Sequence, residues 1–216
     1  MSNDGGQKKS SMLANWGWRF EIGFKEVSIA YRASVMALER QRMDAEQFTR
    51  SRLGLEPDQP IPQDESDPDG PTFSDFFWEE VGEFEQEADG ALDIVRIAFL
   101  IGLFHFWERQ SNRWVDTKHY DHERVMEWLR QHGQKPDKEA LSDLKLAANC
   151  AKHGPGQSCT GLYNRRPDLF EAGEDNASPT FEPNDQTLRI TAETLKEFFD
   201  AARAAGPKAR RPWDNA

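Results

Sequence analysis

Apolar residues recur at spacings of three and four over most of this chain, the period of helices with one buried face. Trp16, Phe20, Phe24, Val27, Tyr31, Val35 and Leu38 predict a long amphipathic helix over about 15–52, bent near Gly23. Arg40, Arg42, Arg50 and Arg52 crowd its far end, where cations suit the helix dipole. Thr72 starts a second helix, with Phe73, Phe76, Phe77, Val81 and Phe84 on one face and acids on the other. Gly90 precedes the most apolar helix, about 91–115. Its first half is apolar nearly all round and belongs at the centre of the fold. Its second half turns polar on one side, through His105, Glu108, Arg109, Asn112 and Arg113.

Capping chemistry marks the remaining elements. Asp121 caps a short helix ending at Gly133, and Pro136-Asp137 opens the next, which Gly154 and Pro155 stop. A helical turn follows over 159–165, with Ser158 placed to cap it, and Thr191 caps a last helix to about 204. "TLRI" at 187–190 could form a short strand. These elements predict an all-α fold: a helical bundle with long antiparallel helices and at most one short strand, in a single domain over 1–216.

Composition changes this picture locally. Residues 56–71 hold five Pro and six acids, too polar to offset their ordering entropy, so a flexible, disordered acidic loop is expected there. Residues 1–11 are expected to be disordered, and 205–216 to form a basic tail. The net charge of −11 is also local: Leu53 to Val95 carries fourteen acids and no base, leaving 27 basic and 24 acidic residues elsewhere. The start of the chain has no signal-peptide run, and Cys150 and Cys159 make no disulfide framework. The apolar run Ile97 to Trp107 is shorter than the roughly twenty residues a bilayer span takes. A cytoplasmic protein without a membrane partner is the expectation.

Candidate chemistry concentrates in "LKLAANCAKHGPGQS", residues 144–158, where Lys145, Asn149 and His153 recur every four residues beside an apolar face. A polar line between apolar margins faces water or lies in a groove or subunit interface. His153 in a last turn can equally serve the helix end, as a cation there opposes the dipole. Cys150-x-x-His153, His119-x-x-His122 and Cys159 could supply zinc ligands, but their spacing matches no strong zinc pattern. No metal and no cofactor is assigned. "GPGQSCTG" lacks the Lys and the preceding strand of a phosphate loop.

The helix ending Asn149-Cys150-Ala151-Lys152-His153-Gly154 resembles the signature helix of the HEPN superfamily, small all-helical domains. His153 matches the signature His and Asn149 the polar residue after the signature Arg, whose own position holds Ala148. The run "HGPGQS…LYNRRPDLF" and the preceding "FHFWERQ" helix extend the likeness over about 91–170. The resemblance implies a protein of a bacterial defence or toxin-type system, directed at RNA or nucleotide, acting as a homodimer with a shared cleft. It implies a metal-independent endoribonuclease in which His153 moves a proton and Asn149 orients; Lys145, one turn earlier, or Arg109, reaching across from the preceding helix if the two pack antiparallel, are the candidates for the missing guanidinium. With that Arg absent, weak or lost activity is expected. The alternative is a noncatalytic helical protein that dimerises or docks to a protein partner.

Overall fold

The computed structural model describes the backbone of residues 4–62, 70–171 and 181–208, with side chains from residue 15 onward. Its elements are α1 (Asp4–Met43), α2 (Ala45–Arg52), α3 (Phe73–Val115), α4 (His122–Gln131), α5 (Lys138–His153), α6 (Gln157–Tyr163), a 3-10 turn (Pro167–Leu169) and α7 (Ala192–Ala205). The fold is all-α. The "TLRI" segment forms a single antiparallel bridge, Leu188 to Phe170, and no strand among the described residues.

Local chemistry explains most boundaries. Thr72 and Asp75 form a reciprocal cap at the start of α3, Thr72 Oγ1 accepting from the Asp75 N–H at 3.1 Å and Asp75 from the Thr72 N–H at 2.8 Å. Asp121, Asp137 and Thr191 each accept from the backbone N–H three residues on, opening α4, α5 and α7. Ser158 does not cap α6. That helix begins at Gln157, one residue earlier, and Gly156 precedes it without a side-chain cap.

Further expectations are corrected. α1 begins at Asp4, so the expected disorder over 1–11 gives way to backbone helix from residue 4; residues 1–3 lie outside the described set. Polar residues can extend a helix whose later turns are anchored by packing. The first long helix breaks at Asp44 and not at Gly23. A Cβ on Gly23 would come 2.7 Å from the Phe106 ring, so this glycine serves close approach to that ring rather than a bend. α3 runs unbroken through Gly90, whose surroundings are open; a mid-helix glycine costs only about 1 kcal/mol relative to alanine. Fused in this way, α3 holds one window long and apolar enough to cross a membrane by composition, of which 33% is buried inside the protein. Finally, Cys150 and Cys159 are joined in a disulfide. The turn through Gly154 and Gly156, both at positive φ, brings their Cα atoms to 4.8 Å. The cytoplasmic expectation thereby loses the support that unpaired cysteines lent it.

The chain divides into two compact units: residues up to 30 together with those from 96 onward, and residues 31–95. In the first, Phe20 lies 5.4 Å from Phe106 and 5.4 Å from Trp114 between ring centroids, and Phe24 lies 5.5 Å from Phe199. α1 and α3 run antiparallel here, Phe20 meeting Trp114 while Phe24 meets Phe106. α5 packs on α6 and α7, and its Leu141, Leu144, Ala147 and Ala148 are all buried. The chain after α7 joins this core, because Gly206 lies against the Phe20 ring and the Lys208 ammonium donates to the Arg203 carbonyl at 2.7 Å. The rest of the expected basic tail, 209–216, lies outside the described residues.

The second unit is an antiparallel hairpin. Arg42 pairs with Asp89, the Phe48 ring meets Phe84, and Arg52 pairs with Glu80. Its small core is Ala45, Phe77 and Val81, with Leu53, Leu55 and Ile61 packed against it. The start of the acidic loop is held in place. Arg50 donates to the Gln59 carbonyl at 2.7 Å, and the Gln59 side chain accepts from the Glu56 N–H. Residues 63–69 of that loop lie outside the described set.

The two glycine environments predict opposite effects. Gly206→Ala would place a Cβ 2.0 Å from the buried Phe20 ring and should cost about 1–3 kcal/mol. Gly90→Ala meets nothing and should gain about 0.5–1 kcal/mol of helix stability. Thermal melting of the two variants against wild type checks the pair.

Candidate functional site

α5 carries the residues singled out by the sequence. Its last N–H bond runs from Gly154, at φ 73, to the Cys150 carbonyl, and the disulfide ties this end to α6. Ala148, at the signature Arg position, is 2% exposed, so the core leaves no room there for an arginine. Asn149 is half-buried and His153 is exposed. Neither side chain has a hydrogen bond or ion pair to another described residue. The last turn carries the exposed Lys152 beside His153, and a carboxylate comes near from another segment: a Cβ on Gly154 would sit 3.2 Å from Asp185 Oδ1. With both sulfurs paired, zinc has no thiolate ligand, and no group of three or more metal-binding side chains forms among the described residues.

Lys145 belongs to a different set of contacts. Its ammonium stands 5.7 Å from the centroid of the Tyr120 ring. The Trp107 indole N–H donates to the Tyr120 hydroxyl at 3.2 Å, and that hydroxyl lies 3.0 Å from His122 Nδ1. The indole N–H only donates, so the Tyr120 hydroxyl oxygen accepts from Trp107 and the hydroxyl and the His122 ring share the second hydrogen bond. Nε2 is buried without a hydrogen-bond partner among the described residues. Burial, and then the Lys145 charge, push the His122 pKa below its usual value. Burial pushes Tyr120 up to about 12. Lys145 therefore supports a polar network between α3, α4 and α5. His153 lies eight residues further along α5, about 12 Å by helical rise.

Arg109 is exposed on α3 with Arg113 one turn beyond. Both line a groove against α1, about 350 Å³, with Trp18, Arg19, Ile22 and Phe106 among its walls. Trp18 is 57% and Ile22 39% exposed. The same two arginines border a second cleft of about 450 Å³ toward Lys118, where Asn112 Oδ1 is buried without a hydrogen-bond partner. Arg19, Arg109 and Arg113 have no ion-pair partner among the described residues. No described contact joins Arg109 to His153.

The arginines in "LYNRRPDLF" work otherwise. Arg165 bonds Asp143 at 2.5 Å and Glu139 at 2.6 Å, clamping α6 to α5. Arg166 bonds Asp168 and Glu197, fastening the 3-10 turn to α7. The sequence marks Arg109 but misses the groove around it. Trp18 and Ile22 were available as a signal, since both fall off the buried stripe of α1. No protein-family model, curated protein or solved structure matches the chain.

Two sets of variants separate structural from available charge. Arg165→Gln leaves the buried Asp143 carboxylate without its partner and should cost about 1–3 kcal/mol, discounted for the partial exposure of Arg165. Arg109→Gln and Arg113→Gln should stay within about 0.5 kcal/mol of wild type. Urea denaturation measures all three.

His122 predicts a pH dependence. Its folded pKa is depressed, so above the unfolded value of 6.5 both states are neutral and nothing is lost. As pH falls below 6.5 the unfolded chain takes up the proton first and stability declines, until the folded pKa is passed. Urea midpoints from pH 7.5 downward should show this decline, and His122→Gln should flatten it.

Proposed function

We propose that this chain is a noncatalytic helical docking protein that holds a partner in the groove between α1 and α3. One observation carries the reading: an exposed Trp18 and Ile22 stand beside three guanidiniums that no described acid neutralises. Trp and Arg are the residues on which binding energy concentrates in interfaces. An uncovered apolar wall also gains about 25 cal/mol for each Å² that a partner removes from water.

The ribonuclease alternative, implied by the HEPN resemblance, asks for a cation at the His153 ring to hold a phosphate. At that end of α5 the Asp185 carboxylate stands near Gly154 and would repel a phosphate, offsetting the exposed Lys152 of the last turn. The core position of Ala148 opposes a guanidinium at the signature site. RNA, a nucleotide or a second copy of the chain, the partners expected from the resemblance, are the competing occupants of the groove.

Incubation of single-stranded RNA with purified protein and with His153→Ala should give no cleavage by either. Cleavage by wild type that disappears in the variant would reject the noncatalytic reading.

A further inference from the structure

We infer that the groove's partner is an acidic peptide segment with an apolar anchor, an inference that rests on the docking reading. The distribution of arginine partners carries it. Arg40, Arg42, Arg50, Arg52, Arg130 and Arg189 all have an acid of this chain within ion-pair distance. The chain has 38 acids to offer, yet Glu26 is the acid that lines this groove, against Arg19, Arg109 and Arg113. The groove therefore keeps a local positive excess on a protein of formal charge −11. Arg109 and Arg113 lie one turn apart on α3, about 6 Å by helical rise, and Arg19 faces them from α1. Ile22, Val27 and Phe106 line the same groove. Guanidinium forks fit carboxylates in pairs of parallel hydrogen bonds. The apolar part of the lining fits an aliphatic or aromatic side chain. That alternation of carboxylate and anchor is the pattern an amphipathic segment presents to a groove between helices.

A nucleic acid fits less well. Its affinity comes from a row of cations along the phosphates, and here Glu26 interrupts the groove while Glu108 and Asp116 line the adjoining cleft. The protein's overall negative charge also opposes a long polyanion.

A random-peptide display library selected on the wild-type protein should enrich segments with carboxylates flanking Leu, Phe or Trp. Selection on the Arg109→Glu/Arg113→Glu double variant should turn that preference to Lys and Arg. A labelled peptide from the first selection, followed by fluorescence anisotropy, should bind more weakly as salt rises. It should lose about tenfold or more in affinity to Arg109→Ala/Arg113→Ala and none to His153→Ala. Neutral peptides whose binding needs Trp18 and ignores the two arginines would overturn the acidic assignment and leave docking standing. Arg109-dependent binding of labelled oligouridylate, with no peptide enriched, would overturn both. Failure to enrich any peptide would overturn the acidic assignment.

Discussion

The first unit depends on the contact of Phe20 with α3 and with the chain after α7. One ring, 1% exposed, touches Phe106, Trp107 and Trp114, and the backbone at Gly206 closes over it. Tilted and edge-on aromatic packing of this kind adds specific geometry to the area buried. It also sets how α1 lies on α3. Where Gly23 meets Phe106 the surfaces come too close for a Cβ. At Trp18 and Ile22 the side chains turn outward, and the space left beside Arg109 and Arg113 is the groove. The groove is thus a consequence of how the core packs, and not a feature added to its surface.

Much of the fold was legible in the residues. The caps at Asp121, Asp137 and Thr191 act locally, through one side chain and the backbone three residues on, so sequence alone places them. The helical periods along α1, α3 and α5 are equally local. Three features were not legible because their causes lie elsewhere in the chain. Gly90 reads as a break, but α3 continues through it, with Ala88 and Leu92 buried on either side along the chain. Gly23 reads as a bend, but its reason is a ring more than eighty residues away. The Cys150–Cys159 bond depends on the reversal between α5 and α6, which two glycines at positive φ permit.

The site was legible only in pieces. Lys145, Asn149 and His153 do share a stripe of α5, as a period of four requires. Periodicity fixes direction around one helix but says nothing of what another helix brings to it. Tyr120 and His122 claim Lys145 from a neighbouring element. Asp185 reaches the end of α5 from a loop more than thirty residues on. Reaching His153 would require Arg109 to cross between two helices, a packing that the sequence does not specify. Its described neighbours are instead Trp18 and Ile22, residues that an analysis of the buried stripe passes over because they are exposed.

Charge supplies the last step. Most arginines here have a task inside the fold, and the clearest is Arg165, which meets a carboxylate on Asp143 that is nearly buried. Such a pair must form, because an isolated charge at that depth is costly. Arg109 and Arg113 face the opposite condition. Exposed to water, they need no partner for the fold to stand, so nothing in stability explains their placement beside an exposed indole. Solvated guanidiniums next to uncovered apolar surface lose little by waiting in water and gain on both counts when a carboxylate and an apolar side chain arrive together. A ligand offering only one of the two leaves half of that surface unused, which is why the groove favours a segment that alternates them.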